Sequence, residues 1–171
     1  MKIFLLGYMG SGKTTVGKKL AALLDYTFID LDAMIESETD HSITEWFSEG
    51  EAKFREIETL VLKQTADFNN AVISTGGGTP CFNDNMIWMK EHGLTMYLKL
   101  AAGSLFHRLA ASKSMRPLLA GKSDVELMEY IIESLNERDY FYSQSHYVVK
   151  GESIDVKSLL DEIKNSESQL R

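Results

Sequence analysis

The sequence predicts an α/β fold in which helices cover both faces of a five-stranded parallel sheet. Short apolar runs alternate along the chain with stretches that carry apolar residues at helical spacing. This alternation favours a parallel sheet, because the crossover between two parallel strands is usually a helix. The 171 residues are enough for one domain with one core, so we expect residues 1–171 to form a single domain. The predicted strands are Lys2–Leu6, Tyr26–Leu31, Ala71–Thr75, Thr95–Leu100 and His146–Val149.

The predicted helices begin and end at recognisable signals. Ser42–Glu45 and Ser123–Glu126 are capping boxes, in which a serine and a glutamate three residues later satisfy the first backbone N–H groups of a helix. The helical pattern after the first box continues past Gly50, and Gly93 is placed to end another helix. The polar stretch Ser112–Lys122 is expected to be a loop, and residues 165–171 a disordered tail. The predicted helices are Thr15–Leu24, Ser42 to Leu62, Asp84–His92, Ser104–Ala111, Ser123 to about Tyr142, and Val156–Ile163.

Composition narrows the class of protein. Hydrophobic residues make up 44% and charged residues 25% of the chain, and the formal net charge is −7 without a basic patch, so a nucleic-acid partner is not expected. No apolar run approaches the length of a membrane span, and the apolar start before Gly7 is shorter than that of a secretory signal. The one cysteine, Cys81, is typical of a reducing compartment. We expect a monomeric cytoplasmic protein without a membrane partner.

The segment Gly7–Thr14 matches the phosphate-binding pattern G-x-x-x-x-G-K-[ST] between a predicted strand and a predicted helix. In such a loop the backbone N–H groups surround the phosphates and the helix N-terminus adds positive partial charge. Lys13 is expected to reach the β- and γ-phosphates, and Thr14 to ligate Mg²⁺. A chance match is the alternative, and the strand and helix on either side argue against it. The predicted ATP-binding residues of the loop are Gly10, Ser11, Gly12, Lys13, Thr14 and Thr15.

This pattern occurs in GTPases, ATPases and small-molecule kinases alike, so it indicates a three-layer fold of the P-loop NTPase type without defining the reaction. Asp30 and Asp32 narrow the range of possible reactions. They stand two residues apart at the end of the second predicted strand, where both side chains are expected on the same side. Asp30 would serve the magnesium ion and Asp32 an acceptor hydroxyl. The alternative is that Asp32 caps a helix beginning near Ala33.

Several further motifs occur in a characteristic order, and with them the chain resembles shikimate kinases from Met1 to about Tyr147. These motifs are the phosphate loop, Phe28-Ile29-Asp30-Leu31-Asp32, Phe54-Arg55-x-x-Glu58, Gly76-Gly77-Gly78 and Arg116-Pro117-Leu118-Leu119. The resemblance implies a kinase that transfers the γ-phosphoryl group of ATP, with Mg²⁺, to the 3-hydroxyl of shikimate in aromatic amino-acid biosynthesis.

The resemblance also implies a role for individual residues. Asp32 would bind the shikimate hydroxyls, with Lys13 and Arg116 as the other catalytic residues. Arg116 would act from a mobile lid of about residues 112–123 that closes over the phosphates. Arg108 is the nearest match to a basic residue that faces adenine. The first three of the implied shikimate-binding residues lie in a helical segment of about residues 32–62. The full set is Asp32, Phe54, Arg55, Gly76, Gly77, Gly78 and Arg138.

Plainer roles remain open for some of these residues. Arg55 could form an exposed helix ion pair with Glu51 or Glu58, and such a pair contributes little stability. Arg116 could be an ordinary surface residue of its loop, and Phe54 a core aromatic. Two other functions also remain: a kinase for another polyol acid such as gluconate, and a non-catalytic nucleotide-binding module. The arginines and both aspartates favour shikimate kinase, because a carboxylate needs a bidentate cation and hydroxyls need acceptors.

Overall fold

The fold is a five-stranded parallel sheet, as predicted. A computed structural model describes residues 1–111, 119, 121–151, 154–157, 159–161 and 163. The strand order across the sheet is β2-β3-β1-β4-β5, and every neighbouring pair is parallel. The first strand therefore lies at the centre of the sheet. The strands are β1 (Lys2–Leu6), β2 (Thr27–Asp30), β3 (Ala71–Ser74), β4 (Leu94–Lys99) and β5 (Tyr147–Lys150).

The central strand is buried on both faces, which explains why its sequence is continuously apolar. Ile3 and Leu5 point into one apolar cluster, which contains residues of the helix that follows the phosphate loop. Phe4 and Leu6 point into a second cluster on the opposite face of the sheet. Alternate residues of a strand face opposite sides, so one short run supplies side chains to two cores. The result is the three-layer arrangement predicted from the sequence.

Seven helices with defined bounds surround the sheet in the described part of the chain. Residues 156–157, 159–161 and 163 are also helical, in the region of the last predicted helix. Two short 3₁₀ turns, Thr65–Asp67 and Thr79–Cys81, precede β3 and follow it. The helices are α1 (Lys13–Leu24), α2 (Leu31–Thr39), α3 (Ile43–Glu49), α4 (Glu51–Gln64), α5 (Asn85–His92), α6 (Ala102–Ala110) and α7 (Asp124–Tyr142).

Both predicted capping boxes are present. The backbone N–H of Glu45 donates to Ser42 Oγ at 3.2 Å, and the N–H of Ser42 donates to the Glu45 carboxylate at 2.8 Å. Ser123 and Glu126 form the same pair of hydrogen bonds at 2.7 and 3.3 Å. These bonds fix the start of α3 and of α7, and α7 carries Arg138.

Two expectations about local structure were wrong. The helical pattern that continues past Gly50 belongs to two helices, because Gly50 has φ 125° and ψ 136° and ends α3 before α4 begins. Asp32 is neither at the end of a strand nor a helix cap. The chain turns directly from β2 into α2, whose N-cap is Asp30, so Asp32 lies in the first turn of that helix. The two aspartates therefore do not lie on one side because of the alternation of side chains along a strand.

The predicted lid arginine, Arg116, lies outside the described residues, as do most of the loop Ser112–Lys122 and the tail 165–171. Among the residues that the structure describes, no helix combines the length and the apolar composition needed to span a membrane.

Candidate active site

The candidate residues meet at the carboxyl edge of the sheet, where ligands of open α/β sheets bind. The segment Gly7–Thr14 follows β1, the aspartates follow β2, and Gly76–Gly78 follow β3. Because β1 and β2 both pair with β3, these three segments are neighbours although about seventy residues separate the first from the last. Strand order thus brings together motifs that the sequence keeps apart.

The phosphate loop has the backbone that phosphate binding requires. Gly10 and Gly12 have φ angles of 80° and 96°, in the left-handed region that favours glycine. The Lys13 ammonium donates to the carbonyl oxygens of Gly7 and Tyr8 at 2.7 and 3.0 Å, so it lies across the mouth of the loop. Thr14 and Thr15 follow in the exposed first turn of α1. The loop therefore presents an ammonium, a helix N-terminus and two hydroxyls on one side.

The two residues predicted to serve magnesium lie side by side. Thr14 Oγ1 donates to Asp30 Oδ2 at 3.1 Å. A hydroxyl and a carboxylate are oxygen ligands of the kind that Mg²⁺ prefers, and this ion usually keeps several waters and binds substrate phosphates as well. Within the described residues no group of three or more His, Cys, Asp or Glu side chains could hold a metal. The hydroxyl of Thr14 and the carboxylate of Asp30 are chemically suited to hold a magnesium ion.

The carboxylate of Asp32 lies in a cleft with an unusual charge environment. The residue as a whole is exposed, yet its carboxylate faces the glycine segment: a Cβ atom placed on Gly76 would lie 3.2 Å from Asp32 Oδ1 and 2.8 Å from Glu58 Oε1. Burial in the cleft, followed by the negative charges of Glu58 and Asp30, raises the pKa of Asp32 from 3.8 to about 6, although Lys13 opposes the shift. A pKa near 6 leaves Asp32 ionised at neutral pH and able to take a proton.

Arg55 makes ion pairs with two glutamates of its helix, Glu51 and Glu58, but it is not an exposed surface residue. Its side chain is only 9% exposed, and that of Glu58 only 1%. Arg55 Nη1 donates to Glu58 Oε2 at 2.8 Å, while Nη2 donates to Glu51 Oε1 at 2.9 Å. Thr79 Oγ1 donates to the other oxygen of Glu58 at 2.5 Å. Glu58 therefore fixes the Arg55 guanidinium from inside the protein.

The third glycine of the triple-glycine segment packs directly against Arg55. A Cβ atom placed on Gly78 would lie 2.5 Å from Arg55 Nη2, closer than real atoms approach. Three aromatic rings complete the surroundings: the centroids of Phe82, Phe54 and Phe47 lie 4.3, 5.0 and 5.6 Å from Arg55 Cζ. Glycine at position 78 is what allows the guanidinium to occupy this place. Phe54 is 2% exposed and belongs to the core as well as to these surroundings.

Arg138 approaches the same segment from α7. A Cβ atom on Gly77 would lie 3.4 Å from Arg138 Nη1, and Arg138 Cζ lies 5.3 Å from the centre of the Tyr8 ring. Arg55 and Arg138 therefore flank the triple-glycine segment from two different helices. Two guanidinium groups around a partly buried backbone turn form a suitable site for a carboxylate.

Arg108 lies at the phosphate loop. Its Nη1 donates to the carbonyl oxygen of Gly10 at 3.1 Å, and a Cβ atom on Gly12 would lie 3.7 Å from the same nitrogen. This position, on α6, brings a cation to the nucleotide side of the site. Arg108 and Lys13 thus place two cationic side chains at the loop of an acidic chain.

Comparisons with known proteins agree with this arrangement. The family model described as shikimate kinase matches residues 9–166. The chain is 48% identical over 156 residues to the shikimate kinase of Bacteroides thetaiotaomicron, which covers 91% of this chain and 89% of that protein. The chain belongs to the shikimate kinase family. The predicted family, and with it an ATP-dependent small-molecule kinase, is confirmed.

Solved structures of the shikimate kinase family share the fold over nearly the whole chain. The crystal structure of shikimate kinase from Bacteroides thetaiotaomicron has a TM-score of 0.90 at 44% identity and covers 98% of each chain. Shikimate kinase from Acinetobacter baumannii in complex with shikimate has a TM-score of 0.86 at 32% identity, covering 99% of this chain and 94% of that one.

Some residues of the candidate site were not predicted from the sequence. Thr79 binds Glu58, and Phe82 lies against Arg55. Asn83 Nδ2 donates to the Arg55 carbonyl oxygen and to Thr59 Oγ1, both at 3.1 Å. Tyr142 donates a hydrogen bond to the Gly77 carbonyl oxygen. Thr79 follows the triple glycine directly, Phe82 and Asn83 come within five residues of it, and Tyr142 stands one helical turn after Arg138. Proximity to these motifs was therefore a usable signal.

Proposed function

We propose that this chain transfers the γ-phosphoryl group of ATP to the 3-hydroxyl of shikimate, which yields shikimate 3-phosphate and ADP for chorismate and aromatic amino-acid biosynthesis. One observation carries the proposal beyond family membership. Arg55 and Arg138 flank Gly77 and Gly78, while Asp32 lies against Gly76. A small acceptor at this segment would meet guanidinium groups at one end and a carboxylate at the other, which matches a molecule with one carboxylate and several hydroxyls.

The nucleotide would bind at the phosphate loop. The backbone N–H groups of Gly10–Thr15 and the Lys13 ammonium would hold the phosphates, and Lys13 would exchange its carbonyl partners for phosphate oxygens. Thr14 and Asp30 would hold Mg²⁺, which neutralises charge on the β- and γ-phosphates when bound. Arg108 would contribute from the nucleotide side, and Arg116 would reach the transferring group from the loop that contains it.

Asp32 would orient the acceptor. Its carboxylate would accept a hydrogen bond from the hydroxyl that attacks the γ-phosphorus, and it would take the proton as the new O–P bond forms. The bond between the γ-phosphorus and the bridging oxygen breaks at the same time, and its electrons remain on ADP. A pKa of about 6 suits this role, because the carboxylate is ionised before the reaction and basic enough to receive a proton.

The carboxylate of shikimate would bind between Arg55 and Arg138. Glu51 pairs with the Nε and Nη2 edge of Arg55, at 3.3 and 2.9 Å. Glu51 has a side chain that is 57% exposed, so it can move away when a substrate carboxylate arrives. Glu58 is buried and would keep its hold on Nη1 throughout. This pairing of a movable and a fixed glutamate favours a carboxylate-bearing acceptor over a neutral polyol.

We further propose that the enzyme is a cytoplasmic monomer with ATP and shikimate as its small-molecule partners. The two other functions remain testable. A gluconate kinase would use the same phosphate loop, and a nucleotide-binding module would bind ATP without turnover.

A coupled assay of ADP release distinguishes these functions. Shikimate, quinate and gluconate are each offered with ATP and Mg²⁺ to the purified wild-type chain. The proposal predicts that ADP release rises with the concentration of shikimate. Mass spectrometry should then identify shikimate 3-phosphate as the product. ADP release with gluconate but not with shikimate would reject the substrate, and release with none of the three would favour the nucleotide-binding module. The Lys13→Ala variant is the matched control for contaminating kinases.

A further inference from the structure

Tyr142, at the end of α7, is a buried tyrosine whose hydroxyl reaches the acceptor site. Its relative exposure is 0%, and its hydroxyl donates a hydrogen bond to the carbonyl oxygen of Gly77. A buried tyrosine needs a partner for its hydroxyl, but many such partners are distant from any site. Here the partner is the backbone of the middle glycine in the triple-glycine segment.

Arg138 approaches the same glycine. Tyr142 follows Arg138 by four residues, so both side chains lie on one face of α7. A Cβ atom placed on Gly77 would lie 3.4 Å from Arg138 Nη1, and the Tyr142 hydroxyl binds the carbonyl oxygen of that residue. Since the hydroxyl proton is donated to Gly77, the lone pairs of the oxygen can accept from a guanidinium. The hydroxyl and the guanidinium thus converge on Gly77.

The ring of Tyr142 is held in place by its neighbours. It packs against Tyr97 of β4 with the ring centroids 4.8 Å apart and the ring planes inclined by 35°, and both rings belong to the apolar cluster on that face of the sheet. The position of the hydroxyl is therefore set by the sheet itself. A link that is anchored to the sheet can define where the glycine segment and the arginine sit relative to each other.

The hydrogen bond to Gly77 also orients the following peptide group. The peptide between Gly77 and Gly78 is trans, so its C=O and N–H point in opposite directions. Fixing the carbonyl toward Tyr142 fixes the Gly78 N–H toward the opposite side. Without Cβ atoms, the three glycines would otherwise leave this backbone with more conformational freedom than any other residue type.

We propose that Tyr142 is a positioning residue for the acceptor. Its hydroxyl holds the Gly77–Gly78 peptide and the Arg138 guanidinium in the arrangement that receives the carboxylate of the substrate. The inference rests on the proposed function, because it concerns the same acceptor. It assigns to Tyr142 an effect on acceptor binding and none on the binding of ATP.

The Tyr142→Phe variant tests this role, because it removes the hydroxyl and keeps the packed ring. Tyr97→Phe is the matched control, since it removes the hydroxyl of the other ring of the pair. For each variant we would measure kcat, KM for shikimate, KM for ATP, and the Kd of shikimate by titration calorimetry. Tyr142→Phe should raise KM and Kd for shikimate by about tenfold, while kcat and KM for ATP stay within about twofold. Tyr97→Phe should match the wild type.

A double variant tests the link to Arg138. In an Arg138→Lys background the Tyr142→Phe change should raise Kd by less than it does alone, because the guanidinium it positions is absent. The proposal would be overturned if Tyr142→Phe raised the Kd of shikimate by the same factor in both backgrounds. It would also be overturned if Tyr142→Phe left shikimate affinity unchanged, or if the two phenylalanine variants had equal effects. A wild-type chain that does not bind shikimate would overturn the proposed function and this inference together. Wild-type turnover with an unaffected Tyr142→Phe variant would overturn this inference alone.

Discussion

Burial in the cleft and the carboxylates of Glu58 and Asp30 raise the pKa of Asp32 to about 6, so its proposed proton-accepting form prevails only above that pH. We expect kcat/KM for shikimate to fall by about tenfold for each pH unit below 6, because the protonated acid cannot accept the hydroxyl proton. Rates from pH 5 to pH 8.5, with circular dichroism as a check on folding, would measure this. A profile that is flat between pH 7 and pH 5 would contradict the role of Asp32.

The same raised pKa makes Asp32 unfavourable for stability at neutral pH. A carboxyl whose pKa rises from 3.8 unfolded to about 6 folded favours the native state below pH 4, and this contribution is lost as pH rises through 6. Asp32→Asn stays uncharged at every pH. We therefore expect the variant to lack turnover yet to have an unfolding free energy at pH 7.5 at least equal to that of the wild type. Urea unfolding at pH 7.5 and pH 4 measures it, and an Asp32→Asn variant that is less stable at pH 7.5 would refute this account.

Gly78 shows how a residue without a side chain can define a binding site. Its backbone is in the ordinary helical region, so alanine is tolerated conformationally, but the added Cβ would lie 2.5 Å from Arg55 Nη2. The guanidinium must move while Glu58 holds it, and displacement of a binding group by about 1 Å has large effects. We expect Gly78→Ala to raise KM for shikimate by about tenfold or more and to leave KM for ATP within about twofold. Gly103→Ala, where nothing lies within 4 Å, is the control. An unchanged KM would contradict the proposed role of Arg55.

At the scale of secondary-structure elements, the break between α3 and α4 depends on Gly50. A Cβ atom there would meet nothing within 4 Å, so a larger residue causes no steric clash. The φ of 125° alone disfavours a residue other than glycine. Gly50→Ala should lower the unfolding free energy by about 1–3 kcal/mol, because this backbone region is essentially restricted to glycine. Gly103→Ala has equally open space within α6 and no positive φ, and it should cause no loss. Urea denaturation of both variants gives the comparison. Equal stabilities would show that the break does not depend on backbone conformation.

The elements that the sequence predicts well are those with a local signal. The central strand Lys2–Leu6 and both capping boxes match because apolar runs and Ser-x-x-Glu patterns act over a few residues. The helix break at Gly50 was not predicted, because the φ angle of a single residue cannot be read from a continuous apolar pattern. The direct passage from β2 into α2 was not predicted for a related reason. No turn residue separates the two elements, since β2 ends at Asp30 and α2 begins at Leu31.

Site residues divide in the same way. Arg55 and Glu58 could be paired from the sequence, because a spacing of three places them on one helix face, and the structure shows this contact. The contacts of Tyr142 with Gly77 and of Thr79 with Glu58 join residues 65 and 21 positions apart. Such contacts depend on strand order and on the packing of α7, which no local pattern encodes.

For the whole molecule, the acceptor side of the site depends on elements that are distant in sequence. Asp32 lies on α2, Arg55 on α4, the glycines after β3 and Arg138 on α7. These elements come from separate parts of the chain, so an acceptor that contacts all of them would join them. Binding should therefore appear as stability of the entire domain, since a ligand of the native state shifts the unfolding equilibrium by mass action.

Shikimate at about one hundred times its Kd should stabilise the wild-type chain by about 2.7 kcal/mol, which is a rise in Tm of roughly 5–10 °C for a chain of this length. Arg55→Lys should lose most of this rise at the same concentration, because lysine cannot form the bidentate contact with a carboxylate. Arg108→Ala should keep it, because Arg108 contacts Gly10 on the nucleotide side of the site. Differential scanning calorimetry measures all three chains. A shift in Arg55→Lys equal to that of the wild type would show that the carboxylate is bound elsewhere. Loss of the shift in Arg108→Ala would show that the nucleotide and acceptor sides are not separate.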